Sequence, residues 1–497
     1  MLSLFAAFFI SGFLSITSAW GMDASQTTPD NPPLEISRIL QNIEELSNER
    51  LNGRQAGTIG GEQAAHFVAN SYTVMGLLPV IPASNEPSSL QWFQDVPLLG
   101  RHILAPTLVN IASSQNLGQR LSGSLHIGKD YLPILDSPAV NLTTPIVFVG
   151  YGISDPARGV DAYRDLNVRN RTVLFLRGKP SSYPRWITLK EKVQTAQEKG
   201  AAAFLTVTGP LLSRYEKRKG LGQIPLAMYS SKPDDRPLPG AWINGETLNR
   251  QLSTIHESLE RLQEQANSNP GQVSRPLPLV THLDWATQEE TGAMRNVIGM
   301  IPGYDPTLRD DSILIGAHRD HFGAQAGLVF PGADDNASGT AVMLEVAKHF
   351  TKEGKAPKRS ILFVSFDGEE RGLLGSKFYV KNPAHPLNQT VTMINLDHVG
   401  VGNGALTVGV THSDKLIAQE AANLVHLQEK IKIYGYFPGG DHVPFYKRNV
   451  PTITIVSAGV HPHFHQSSDT SKEIDPNIVS TATKFVISLV NLLANPS

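Results

Sequence analysis

The sequence predicts an α/β fold in which a mostly parallel, mixed sheet is sandwiched by helices. Two observations carry this. From Asn296 onward, short β-branched runs alternate with helical segments, as parallel strands and their crossover helices do. Charged and imidazole side chains fall directly after those runs, where an open α/β sheet collects its ligand-binding groups. Composition allows such a core. Of 497 residues, 40% are hydrophobic and 18% charged, a globular rather than disordered balance.

The elements follow in order. Leu2–Ile16 is almost wholly apolar, and Thr17 and Ala19 stand at a small-x-small cleavage spacing. Residues 1–21 therefore read as a signal peptide, although no Lys or Arg precedes the apolar run. The run is short of the ~20 residues a membrane span needs. The mature chain is expected to be secreted or periplasmic, without stable membrane insertion. Residues 22–34 read as a polar linker. Ile36–Leu46 and Gly60–Gly76 have helical periodicity, and a β-rich stretch follows with turns at Gly100, Gly118, Gly123 and Gly128. From Pro145 a small α/β unit begins, with strands at Ile146–Tyr151 and Val173–Leu176. A helix at Leu189–Lys199 leads into the apolar run Ala201–Val207. Glu246–Ala266 is predicted as one amphipathic helix striped by Leu248, Leu252, Ile255, Leu259 and Leu262, and Asn267–Pro278 as a linker. Strands are then expected at Ser312–Gly316, Ser360–Phe366, Val391–Leu396 and Thr452–Val456. Helices are expected at Ala337–Phe350, Leu373–Val380, Asp414–Val425 and Ile478–Leu493.

Charge and cysteine content exclude several functions. Lys+Arg total 43 against 45 Asp+Glu, without the basic excess of a nucleic-acid binder. No cysteine occurs, so disulfides, thiolate nucleophiles and Cys-ligated metals are ruled out. Any metal site must be built from imidazole and carboxylate.

Such groups converge. His318-Arg319-Asp320 follows the first of the four strands, and Asp334-Asp335-Asn336 opens the next helix. Asp367-Gly368-Glu369-Glu370 follows the second strand, Asp397 the third, and His461-Pro462-His463-Phe464-His465 the fourth. Carboxylates brought to one sheet edge repel unless a cation compensates. Two imidazoles and three carboxylates can hold two Zn²⁺ ions if one carboxylate bridges, an arrangement suited to hydrolysis. Asp334 or Asp335 could bridge, and any of His461, His463 or His465 could ligate. His321 and His398 flank the set and read as supporting groups. Asp441 and His442 read as shaping the substrate pocket.

The ordered blocks GAHRDHFG (Gly316–Gly323), GADDNASG (Gly332–Gly339), FDGEERGLLGS (Phe366–Ser376), INLDHVG (Ile394–Gly400), GDHVPF (Gly440–Phe445) and FHQSSDT (Phe464–Thr470) resemble the co-catalytic zinc exopeptidases of metallopeptidase family 28, mostly aminopeptidases. RNVIGMIPG (Arg295–Gly303) resembles the family's entry strand. Pro145–Val207 more loosely resembles a protease-associated domain inserted in that family. The resemblance implies a zinc exopeptidase fold interrupted by a smaller protease-associated α/β domain. Its parts would be residues 35–135 (first peptidase part), 136–270 (insert) and 280–497 (metal-binding part). It implies two Zn²⁺ ions and a peptide substrate. His318 and Asp397 would complete one zinc, Glu370 and His465 the other, and Asp335 would bridge. Asp320 would fix the His318 tautomer, and Glu369 would be the general base. His398 stands where the family more often has an apolar residue. The same fold also hosts glutamate-type carboxypeptidases and metal-depleted receptor-like relatives. The carboxylate-rich ring, with no Arg cluster in these motifs, favours a reader of free amines.

Overall fold

The computed structural model of the protein describes residues 36–83, 89–98, 100–114, 125–213, 216–217, 222–230, 238–289, 291–352 and 356–496. The expected signal peptide and linker, and the turns at Gly118 and Gly123, lie outside them.

Helices α1 (Ile36–Leu46) and α2 (Ile59–Met75) come first. Thr58 caps α2 by accepting from the Gly61 N–H, and Gly76 ends it at φ +79°, as helix termini require. Strands β1 (Leu78–Pro79) and β2 (Phe93–Asp95) join a nine-stranded sheet. The chain then leaves it to build a second, seven-stranded sheet. This uses β3 (Leu108–Ser113), β4 (Tyr131–Pro133), β5 (Val140–Phe148), β6 (Thr172–Leu176), helix α3 (Leu189–Glu198), β7 (Ala203–Val207), β8 (Gly240–Ile243), helices α4 (Gly245–Ser253) and α5 (Leu259–Ser268), and β9 (Arg275–Trp285). Its order is β3-β9-β5-β6-β7-β8-β4, with β5 to β8 parallel.

The chain returns to the large sheet with β10 (Arg295–Ile301), β11 (Ser312–His318), helix α6 (Gly339–Phe350), β12 (Ser360–Phe366), helix α7 (Leu374–Lys381) and β13 (Thr390–Leu396). β14 (Leu406–Thr411), helix α8 (Leu416–Leu424), β15 (Ile431–Tyr434), β16 (Thr452–Ser457) and helix α9 (Pro476–Ala494) complete it. The order is β1-β10-β12-β11-β13-β16-β14-β15, with β2 also on β10. Strands β12, β11, β13 and β16 run parallel, in the register His318↔Phe366 and Leu396↔Ile455. Every residue of β11 and β12 is buried, as expected of strands covered on both faces. Helices α1, α2, α6, α8 and α9 pack together. Helix α7 and the short helix His442–Tyr446 meet in a separate apolar cluster through Phe366, Tyr379 and Phe445. By length and composition α9 could cross a membrane, but most of it is buried in this core.

Three expectations change. The helix predicted over Glu246–Ala266 is two, α4 and α5. Ser258 accepts from the Arg261 N–H and starts a new helix, while Leu248, Leu252, Leu259 and Leu262 keep their burial. The linker predicted at Asn267–Pro278 instead ends α5 and starts β9. Its prolines, Pro276 and Pro278, occupy exposed alternate positions of that strand, beside an irregularity in register, where proline is tolerated. Finally, the second sheet draws strands from residues 108–285, past the 136–270 assigned to an insert. Ile36–Ser497 is one compact unit, with no separate subdomain. The Ala227 N–H donates to the His465 carbonyl at 2.9 Å, and Gln55 Nε2 donates to Tyr229 Oη at 3.1 Å, joining the two sheets' surroundings.

Candidate metal centre

The polar residues collect beyond the carboxyl ends of β11, β12, β13 and β16. His318 is the last residue of β11, Asp397 follows β13, and Glu369 and Glu370 follow β12 after a turn at Gly368. Asp334 and Asp335 lie in the loop that opens α6. Gly332 starts that loop at φ +58°, and a Cβ there would meet the Asp335 carbonyl oxygen at 2.2 Å, so only glycine fits.

Asp335 is the hub. Its Oδ1 lies 3.4 Å from His318 Nε2, and its Oδ2 lies 3.3 Å from His465 Nε2 and 3.4 Å from His398 Nε2. His318 Nε2 is also 3.4 Å from Asp397 Oδ1, and His465 Nε2 is 3.7 Å from Glu370 Oε2. His321 Nδ1 is nearer to Glu370, at 2.9 Å from Oε1, and 3.7 Å from Asp335 Oδ2. Two groups that could hold an ion therefore share Asp335: His318 with Asp397, and Glu370 with His321, beside which stands His465.

The spacing tests the fit to zinc. Charge-assisted N–H···O bonds close to about 2.7–2.9 Å. Two ligands each ~2.1 Å from a tetrahedral zinc stand about 3.4 Å apart. The contacts of His318 with Asp335 and Asp397, and of His465 with Asp335, have the second spacing. The donor set, imidazole and carboxylate without thiolate, also suits zinc. A third group, Asp334, His398 and His461, differs: His461 Nδ1 approaches Asp334 Oδ2 to 2.5 Å, the distance of a hydrogen bond.

Charge interactions point the same way. Burial and the neighbouring carboxylates push Glu369 and Glu370 well above the ordinary carboxyl range. Burial opposes the ionised form of Asp335 too, but the imidazoles of His398, His321, His465 and His318 outweigh it and hold it well below. At His318 burial opposes the charged ring, yet Asp320 and Asp397 raise it well above its usual value. Burial lowers His465 and His321. Carboxyl groups raised together at one sheet edge mark a site that lacks positive charge.

Asp320 stands differently from its expectation. His318 Nδ1 has the Asp320 main-chain carbonyl at 3.2 Å, while the carboxylate is 3.7 Å away. The Asp320 carboxylate instead accepts the N–H groups of Glu369 and Glu370, at 3.1 and 3.3 Å. Two supporting residues escaped the sequence reading. The Asp469 carboxylate accepts the N–H groups of Asp334 and Asp335, at 2.9 and 3.1 Å. Arg54, fully buried, donates to the carbonyls of Leu46, Arg319, Pro331 and Gly332. His442 Nε2 donates to the Phe437 carbonyl, and Asp441 is fully buried. Asn336 is buried and donates to the Leu396 carbonyl.

This two-sheet architecture is shared with solved aminopeptidases. An aminopeptidase from Aneurinibacillus sp. strain AM-1 superposes with a TM-score of 0.65 at 20% identity, over 93% of this chain and 95% of that one. A zinc aminopeptidase from Bacillus subtilis superposes with a TM-score of 0.62 at 20% identity, over 93% and 96%. The chain thus has the mixed α/β fold of these enzymes. Residues 296–490 match peptidase family M28. Among curated proteins, a probable leucine aminopeptidase 1 of Trichophyton verrucosum is 27% identical over 223 residues, which are 41% of this chain and 58% of that protein. A leucine aminopeptidase 1 of Trichophyton rubrum matches to the same extent. The chain thus spans little more than half the length of these relatives.

Proposed function

We propose that the protein is an exported zinc aminopeptidase that removes N-terminal residues from peptides, with two metal ions gathered around Asp335. In this reading His318 and Asp397 would hold one ion and Glu370 and His465 the other, with Asp335 shared between them. Bound there, the ions would supply Lewis acidity toward the scissile carbonyl and lower the pKa of a water molecule toward neutrality. The Glu369 carboxylate takes the proton of the attacking water and hands it to the leaving amine. Asp320 positions both glutamates through their main-chain N–H groups. The smaller sheet is the protease-associated part of the family pattern and borders the centre at Ala227. Residues 1–21 direct export.

One observation carries the reading: Asp335 stands at the ligand spacing of zinc from His318 on one oxygen and from His465 on the other. The choice of amine over carboxylate rests on charge. The guanidinium groups of Arg54 and Arg319 are engaged by main-chain carbonyls and by Asp367. Arg371 stands over the Tyr229 ring, 4.2 Å from its centre, and the carboxylates around Asp335 outnumber it as charges to meet a free ammonium. The test is a panel of aminoacyl p-nitroanilides, each beside its N-acetylated twin, with and without a zinc chelator. Free-amine substrates are expected to be cleaved, with the chelator abolishing turnover and zinc restoring it. Equal cleavage of the acetylated twins would overturn the aminopeptidase reading.

A further inference from the structure

The imidazoles around Asp335 are not presented alike. His318 Nδ1 faces the Asp320 main-chain carbonyl at 3.2 Å, and His465 Nδ1 faces the Ala227 carbonyl at 3.1 Å. A carbonyl only accepts, so each Nδ1 donates and each Nε2 is left to ligate. Those Nε2 atoms stand 3.4 and 3.3 Å from Asp335. Metal-binding histidines are prepared in this way, with one ring nitrogen on the ion and the other donating to an oxygen behind it.

His398 has the same presentation. Its Nδ1 lies 3.3 Å from Asp334 Oδ2, while its Nε2 lies 3.4 Å from Asp335 Oδ2 and 3.7 Å from Asp397 Oδ1. Its distance to Asp335 is that of His318. The other two imidazoles nearby differ. His461 commits both nitrogens to protein oxygens, Nδ1 to Asp334 Oδ2 and Nε2 to the Ser457 carbonyl. His321 turns Nδ1 to Glu370, and its buried Nε2 has no partner among the described residues. The His398 ring is also held in place. Its backbone sits at φ +48°, in the left-handed region that few residues other than glycine adopt. Its carbonyl accepts the Ser457 N–H at 2.8 Å and the Ser457 hydroxyl. Phe464 lies against the ring, with centres 5.4 Å apart. Asp334, behind it, is fixed in turn by the N–H groups of Gly400 and Val401. An apolar residue at this position would make neither polar contact of the ring.

We propose that His398 is a further metal ligand of this centre, offering Nε2 to the ion assigned to His318 and Asp397, with Asp334 orienting its ring through Nδ1. The proposal rests on the two-ion reading above. The choice of ion follows from the carboxylates that Nε2 meets: Asp397 and Asp335 both belong to that ion, and only Asp335 to the other. A neutral imidazole adds a donor without adding charge, so it would tighten the ion and leave the balance of carboxylates as it was.

The experiment uses the full chain, stripped of metal and loaded with Co²⁺, a paramagnetic stand-in for zinc. Each ligating imidazole that keeps an N–H then gives one strongly shifted, solvent-exchangeable proton signal. The parent is expected to show at least three, from His318, His398 and His465, and His398→Phe one fewer. In chelator competition H398F should hold one zinc ion at least about tenfold more weakly, since losing even an orienting partner of a ligand costs that much. His398→Asn, a residue that tolerates the left-handed backbone, repeats both measurements. Folding of each variant is checked by circular dichroism, and the count in the parent stands whether or not they fold. Fewer than three signals in the parent, the same number in a folded variant, or zinc held by it as tightly as by the parent overturns the proposal. Weaker zinc with no signal lost would show that His398 acts only through Asp334, and overturns it as well. A parent that binds neither cobalt nor zinc would instead overturn the two-ion reading, and the proposal with it.

Discussion

Asp334 and His398 are fastened together: His398 Nδ1 lies 3.3 Å from Asp334 Oδ2, and the other Asp334 oxygen accepts the N–H groups of Gly400 and Val401 at 2.8 and 3.0 Å. Asp334 also receives His461. One buried carboxylate thus anchors the loop after β13 and two imidazoles. Substituting Asp334→Ala leaves those donors without an acceptor inside the protein. A cost of about 3 kcal/mol or more is expected, measured by urea unfolding of metal-free protein. His398→Phe keeps the two main-chain contacts of Asp334 and should cost less. Equal stability of D334A and parent would contradict this role.

Glu369 is adjacent to the Asp335-centred groups, yet belongs to neither. Glu369→Gln keeps the size of the side chain and removes its ability to take a proton. Zinc content is expected to stay at the parent level, while kcat falls about 10²–10⁴-fold. Metal analysis and steady-state kinetics on one sample separate the two effects. An active E369Q enzyme would place the base elsewhere.

Asp320 tests the difference between positioning an imidazole and positioning a loop. Its carboxylate holds the main chain of both glutamates, so Asp320→Ala should disturb Glu369 and Glu370 together. A loss of about 10–100-fold in zinc affinity is expected, read by competition with a chromogenic chelator. Asp320→Asn retains one acceptor oxygen and should fall between D320A and the parent. If D320A binds zinc as tightly as the parent, the carboxylate is dispensable to the centre.

These three residues also show how far the sequence could be read. The parallel strands were legible because burial on both faces writes them as unbroken apolar runs; Ser360–Phe366 falls at its predicted bounds. The residues at their ends were legible through the same strands, since each polar cluster begins where a run stops. The last two strands of the sheet, β14 and the edge strand β15, were missed, being mixed in burial. Asp320 was found, but its contact was not, because sequence spacing favours the neighbour two residues away over an N–H forty-nine residues on. Arg54 and Asp469 were invisible as support. Both act on main-chain groups more than a hundred residues distant, and a main-chain partner leaves no mark in a side-chain pattern. The short reach of His321 to Glu370 was likewise beyond spacing to decide.

Arg54 shows what that hidden support is worth. Burial pulls its guanidinium down to about 10 despite Asp469, Asp320 and Asp335 nearby, so it stays charged at neutral pH. It ties the end of α1 to the loops carrying Arg319 and Gly332. Arg54→Met fills the space but removes the guanidinium donor from the carbonyls of Leu46, Arg319 and Pro331, while Gly332 keeps the Ala337 N–H, and a loss of about 3 kcal/mol or more is expected. Thermal melts in excess zinc should show the loss as well, because these groups lie outside the proposed ligand set.

Lys192 gives a pH dependence of defined sign. Burial, helped by Arg177 and opposed by Glu216, lowers its ammonium from the ordinary 10.5 to about 7. Between those values the unfolded chain holds a proton on Lys192 that the native protein has released. Stability therefore rises with pH across this window, by up to about 1.4 kcal/mol per unit from this one group, and the penalty is fully present below about pH 7. Lys192→Met has no proton to lose. Urea unfolding of both proteins at pH 7 and pH 9 should show the parent gaining about 1–3 kcal/mol more than K192M. The contributions of other groups cancel in that difference, because both proteins carry them. A difference independent of pH would mean that Lys192 keeps its proton when buried, held by the carbonyls of Leu176 and Gly178.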